Sequence, residues 1–126
     1  MLKKVIPVEA VPAIGPYSQA VEAGGFVFCS GQIPLDPQTG TLINSDIASE
    51  TVRAMENLKT VLAAAGLSLK DVIKTTIYLT DFGDFAVVNE IYGSYFENAY
   101  PARATVQVAS LPRGARIELD AVAARP

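Results

Sequence analysis

Histidine and tryptophan are absent from this chain, and cysteine occurs once. Those gaps remove whole classes of chemistry. With no His and a single thiol there is no plausible zinc ligand set, no Ser-His-Asp triad and no Cys-His pair. Proton transfer is left to carboxylates, Tyr, Lys, backbone groups or water. One Cys forms no internal disulfide and carries no information about secretion. Long apolar runs are missing as well, and no window approaches the roughly 20 residues of a membrane span. The amino end, MLKKVIPVEA, has two lysines but no apolar stretch behind them, so no secretory signal is expected. A dense basic face is also lacking. Thirteen acids against ten bases give a net charge of −3, whereas a chain that neutralises many phosphates normally leans the other way. The expectation is a cytoplasmic protein with no metal, no nucleic-acid partner and no membrane.

What is present is the balance of an ordinary globular domain. The 126 residues are half hydrophobic and 18% charged, which supports one domain over 1–126 with a core that needs no staples. The eight Pro and nine Gly are spread among apolar runs, which excludes disorder, collagen-like repeats and coiled coil. Residues 1–16, with three prolines, read as a short edge strand and an extended arm. Strand-like runs at 17–23 and 26–31 flank Gly24-Gly25, a two-residue hairpin signal. The run from Phe26 to Gly31 is apolar enough to suggest packing on both sides.

A helix follows, with Asp46 or Ser45 as N-cap and Gly66 just past its end. Ile47, Thr51, Met55, Leu58, Leu62 and Ala65 form its apolar stripe, leaving Glu50, Arg53, Glu56 and Lys59 on the other side. Residues 71–80 are β-branched and alternating, hence a strand. Asp81 or Asp84 caps a second helix whose stripe is Phe85, Val88, Tyr92, Tyr95 and Phe96. Strands at 103–108 and 115–123 close the chain around a turn at 111–114. The order βββ-α-β-α-ββ gives an α+β domain of about six strands with both helices on one sheet face. The apolar content of the other face points to a second subunit there.

Candidate chemistry is sparse. Arg103 opens a strand after Pro101-Ala102, with Thr105 and Gln107 on its face. It is a surface arginine or, through its planar fork, a clamp for carboxylate or phosphate. Glu118 alternates with Ile117 and Leu119 and shares its face with Asp120. On an edge strand that is a solvated face, whereas on a central one Glu118 needs a partner or a function. Tyr17 follows Gly15-Pro16, and Ser30-Gly31-Gln32 ends an apolar strand where glycine allows close approach. Cys29 reads as a small buried apolar side chain, and Asn89 as an outward amide beside the second helical stripe.

Four segments in order carry a resemblance: IGPYSQAV at 14–21, SGQIPLDPQTG at 30–40, AAAGLSLKDVIKTTIYLTDFGDF at 63–85 and PARATVQVASLPRGARIELDAVA at 101–123. Together they resemble the reactive intermediate deaminase A (RidA/YjgF) family. The resemblance implies a chorismate-mutase-like α+β fold assembled as a homotrimer. In that fold the last strand inserts into the middle of the sheet, which overrules a hairpin at 111–114 and makes Glu118 central. Pockets lie between subunits and draw on two chains. The implied activity is cofactor-free hydrolysis of 2-imino acids (2-aminoacrylate, 2-iminopropanoate, 2-iminobutanoate) to 2-keto acids and ammonia. Arg103 would clamp the substrate carboxylate and Glu118 would activate water. Backbone near Thr105 and Gly31 would position the imine, Tyr17 would close the pocket from the neighbouring chain, and Ser30 and Asn89 are further contacts. Many family members carry Cys where this chain has Thr105. A non-catalytic trimer binding small carboxylates, a ribonuclease or translation inhibitor, and a chaperone-like role are the alternatives. Glu118 favours catalysis over binding, while the lack of His and the negative charge count against phosphodiester cleavage.

Overall fold

The structure, a computed structural model, describes residues 2–97 and 99–126. Six strands and two helices alternate in the expected order: β1 (Lys4–Ile6), β2 (Ala20–Ala23), β3 (Phe26–Gln32), α1 (Ile47–Ala64), β4 (Val72–Leu79), α2 (Phe85–Ser94), β5 (Ala102–Gln107) and β6 (Ile117–Ala124). They form one mixed sheet in the order β1-β2-β3-β6-β4-β5, parallel only between β4 and β5. Gly24 and Gly25, at φ 61° and 82°, turn β2 into β3 with the twist that a two-residue hairpin needs.

The insertion of β6 follows from connectivity. β4, α2 and β5 make a parallel crossover unit, so β5 returns to one edge of β4. The other edge of β4 stays open, as does the outer edge of β3. β6 fills both, with Leu119 opposite Ile77 on one side and Gln32 on the other. Its residues are buried and half-buried in strict alternation, Ile117, Leu119, Ala121 and Ala123 facing the core. The turn at Pro112–Gly114 is therefore not a β5–β6 hairpin, in agreement with the family resemblance.

Both helices pack on that core face. Asp46 caps α1 by accepting from the Ser49 amide at 2.8 Å. The stripe of Thr51, Met55, Leu58 and Leu62 is fully buried. For α2 the capping oxygen belongs to Asp81, which accepts from the Gly83 amide in the turn leading into the helix, while Asp84 caps nothing with its side chain. Tyr92 of α2 reaches the sheet, its hydroxyl 2.7 Å from Thr75 Oγ1.

Two expectations need correction. Glu50 is not on the wet side of α1: it is wholly buried and ion-paired to Arg116 at the head of β6. A carboxylate whose partner lies 66 residues away leaves no mark in a helical-stripe count. The β3 run also does not pack on both sides within the chain. Val27 and Cys29 are buried, but Phe26 and Phe28 project from the face without helices and are 42% and 48% exposed. Val21 and Val122 flank Phe28 in the register, so that face carries an uncovered apolar band. Among the described residues no helix is long and apolar enough to cross a membrane.

Candidate functional site

Strand parity decides where each candidate side chain goes. Arg103 on β5 lies opposite Thr75 on β4, and Thr75 is buried beneath α2. Arg103 therefore stands on the helix-bearing face. Its guanidinium sits 5.2 Å from the centre of the Tyr92 ring and 5.7 Å from that of Phe85. Its Nη1 donates to Asn89 Oδ1 at 2.7 Å. The planar fork is thus stacked on aromatics and tethered at one nitrogen, which orients it without neutralising it. Asn89, read from sequence as an outward amide, is the tether. Thr105 and Gln107 share this face, as the alternation predicted. Gln107 accepts from the Phe82 amide at 2.8 Å, and the buried Thr105 hydroxyl has no hydrogen-bond partner among the described residues. An open hollow of about 700 Å³ lies beside Arg103, lined by Asn89, Tyr92, Tyr100 and Pro101.

Glu118 occupies the other face. It lies opposite Tyr78 on β4, whose hydroxyl donates to Asp120 Oδ2 at 3.0 Å on the same side. The Glu118 side chain runs across Gly31, where an added Cβ would stand 2.8 Å from its Cδ. Glycine is needed there because the carboxylate takes the space of a side chain. A cavity of about 420 Å³ opens beside it, with Val11, Ile14, Tyr17, Ser30 and Gly31 in its wall. Burial, with a smaller contribution from the Asp120 charge, holds the Glu118 carboxyl above the usual carboxylate range.

The arm over this cavity is anchored by hydrogen bonds that pattern reading did not foresee. Gln32 Nε2 donates to Gln19 Oε1 at 2.8 Å, and Gln19 Nε2 donates to the Val11 carbonyl at 3.0 Å. Both amides are buried. Ser30 Oγ donates to the Ser18 carbonyl at 2.6 Å, so its proton is spent within the chain. Buried amides just before a strand and at the end of one look like ordinary surface polar residues in the sequence, and only the fold reveals them. Cys29 is buried, with its thiol pushed up to about 11 chiefly by burial, which matches its reading as a packing residue.

The seven candidates thus fall into two groups on one chain. Arg103, Asn89 and Thr105 are together, and Glu118, Gly31, Ser30 and Tyr17 are together. Tyr17 lines the same cavity as Glu118 of its own chain.

A family model described as Endoribonuclease L-PSP matches residues 8–125, nearly the whole chain. The chain belongs to the RidA/YjgF family. Within it, Protein DfrA of Myxococcus xanthus is 57% identical, over 98% of this chain and 96% of that protein. The 2-iminobutanoate/2-iminopropanoate deaminase of Mus musculus is 48% identical, over 98% and 92%. Among solved structures, Escherichia coli TdcF with bound serine superposes with a TM-score of 0.91 at 45% identity, covering 98% of this chain and 99% of that one. This RidA/YjgF chain therefore shares its fold with a small-molecule-binding relative, and its sequence with relatives named as imine deaminases.

Proposed function

We propose that this protein hydrolyses 2-imino acids to 2-keto acids and ammonia, as a homotrimer whose sites are each assembled from two copies. The observation that carries the reading is Glu118: a carboxyl held above its ordinary range at the rim of a mostly apolar cavity, which a passive carboxylate binder has no use for. The names of the relatives support the same chemistry. The apolar band around Phe28 on the face without helices supports association, since a patch of this kind on a free chain is a natural contact for further copies.

The chemistry asks little of the protein. A protonated imine carbon is already electrophilic, so water adds without a covalent nucleophile. Arg103, oriented by Asn89, takes the substrate carboxylate through two parallel hydrogen bonds. Glu118 accepts a proton as water adds to the imine carbon, forming a tetrahedral carbinolamine. The proton passes to the amino nitrogen, the C–N bond breaks, ammonia leaves, and the hydroxyl loses its proton to give the keto acid. An enamine such as 2-aminoacrylate enters by gaining a proton on its terminal carbon and becoming the imine. A base titrating somewhat nearer neutrality than free glutamate is better matched to this proton traffic. Glu118 counts against the endoribonuclease reading, because a carboxylate in the cavity wall does nothing to stabilise the anionic transition state of phosphodiester cleavage.

The test is direct. Serine dehydratase generates 2-aminoacrylate in situ, and the protein is expected to accelerate pyruvate release. No acceleration at micromolar protein would remove the deaminase reading.

A further inference from the structure

The charges around Glu118 are arranged, not incidental. Two residues along β6 and on the same face stands Asp120, its backbone roughly 7 Å from that of Glu118 by strand rise. It is not free to swing away, because the Tyr78 hydroxyl donates to its Oδ2 at 3.0 Å. Tyr78 is the residue opposite Glu118 in the β4–β6 register, so one side chain flanks the glutamate and fixes its acidic neighbour. Among the described residues, the other elements around Glu118 bring no compensating charge. On β3, Ser30 and Gly31 are uncharged, and the arm contributes Tyr17 to the cavity. Lys74 on β4 places its ammonium 3.2 Å from Thr76 Oγ1, and Thr76 lies opposite Asp120 and not opposite Glu118.

We propose that Asp120, fixed by Tyr78, is a positioning residue whose charge sets the pH range over which Glu118 can act as a base. The inference rests on the proposed role of Glu118. In the assembled trimer that role also brings Arg103 of a neighbouring copy toward the substrate. Arginine favours the ionised form of Glu118 and Asp120 disfavours it, so the two charges bracket the titration. Ionised and neutral forms then exchange with pH under the control of a residue that never touches substrate. Like-charge repulsion in a partly desolvated site raises the Glu118 carboxyl further, adding to the larger effect of burial.

The experiment uses the full chain in its native assembly and reads Glu118 directly. The carboxyl carbon of Glu118 is followed by NMR against pH in the wild type, in Asp120→Asn and in Asp120→Glu. Asp120→Asn should lower the Glu118 midpoint by about half a unit or more, and Asp120→Glu should restore most of the shift. The acid limb of kcat/KM for imine hydrolysis should move with it. An unchanged midpoint in Asp120→Asn overturns the proposal whatever the enzyme turns over. A shifted midpoint with an unmoved acid limb means that Glu118 is not the base, which is a failure of the functional reading instead. Should Asp120→Asn not assemble, Tyr78→Phe releases Asp120 while leaving both carboxylates. It must then shift the midpoint measurably, or the fixing role of Tyr78 is wrong.

Discussion

Arg103 and Glu118 stand on opposite faces of one sheet. Arg103 on β5 shares the helix-bearing face with Thr75, its partner on β4, while Glu118 on β6 shares the helix-free face with Tyr78, its own partner on β4. β4 lies between the two strands, so no rotamer change brings the guanidinium and the carboxylate to one substrate within a chain. If both act on the same molecule, they come from different copies. The apolar band around Phe28 supplies a reason for copies to meet.

Arg103→Ala is expected to abolish imine hydrolysis while leaving fold and assembly intact, because the side chain is exposed, lies over ring faces and is tied to the chain by its hydrogen bond to Asn89. Arg103→Lys should rescue little, since a point charge does not reproduce a bidentate fork. Asn89→Ala should mainly raise KM, several-fold, by freeing the guanidinium from its 2.7 Å tether. Steady-state kinetics on the three variants checks the set.

Glu118→Gln keeps shape and one acceptor but takes no proton from water. Hydrolysis should fall by about 10²-fold or more while a keto acid such as pyruvate still binds, as measured by calorimetry. The pH profile of the wild type follows from the same residue. Its carboxyl is raised by burial and by Asp120, so the base is ionised above the raised value and lost as pH falls through it. The acid limb of kcat/KM should therefore lie above the titration of an ordinary glutamate.

Gly31→Ala tests the contact that holds Glu118. The new methyl would overlap the Glu118 carboxylate, which is the far end of a flexible side chain and gives way. Activity should drop by about 10-fold or more, with a loss of stability on the order of 1 kcal/mol or less. A variant as active as wild type would show that the orientation of Glu118 is immaterial.

The Glu50–Arg116 pair anchors α1 to the head of β6. Arg116→Ala leaves a carboxylate buried without its cation, and should destabilise by about 2–4 kcal/mol in denaturant unfolding. Glu50→Gln, which removes the buried charge instead, should cost less.

Much of the frame was legible in the sequence because it rests on local rules. The 3.6 period marked Met55 and Leu58 in α1, the period of two split Glu118 from Leu119, and Gly24-Gly25 announced the hairpin. Sheet order was not local. Nothing between Val108 and Arg116 says that β6 will pass β5 and lie between β3 and β4, and only the family resemblance carried that. The burial of Glu50, Gln19 and Gln32 was missed for a related reason. Each is polar, each is buried, and each has its partner supplied by a distant segment. The candidate side chains were all readable, but their division between two faces required the strand register.

That division makes the central claim testable by subunit mixing. Arg103→Ala and Glu118→Gln chains, each inactive alone, are unfolded together, refolded in equal amounts and assayed for pyruvate release from in situ 2-aminoacrylate. In a composite site, a chain with intact Arg103 meets a neighbour with intact Glu118 at about a quarter of interfaces, so about a quarter of wild-type activity should return. If mixed assemblies form, as native mass spectrometry would show, and activity stays at the level of the separate variants, the two residues do not serve one site across two chains and the account is wrong.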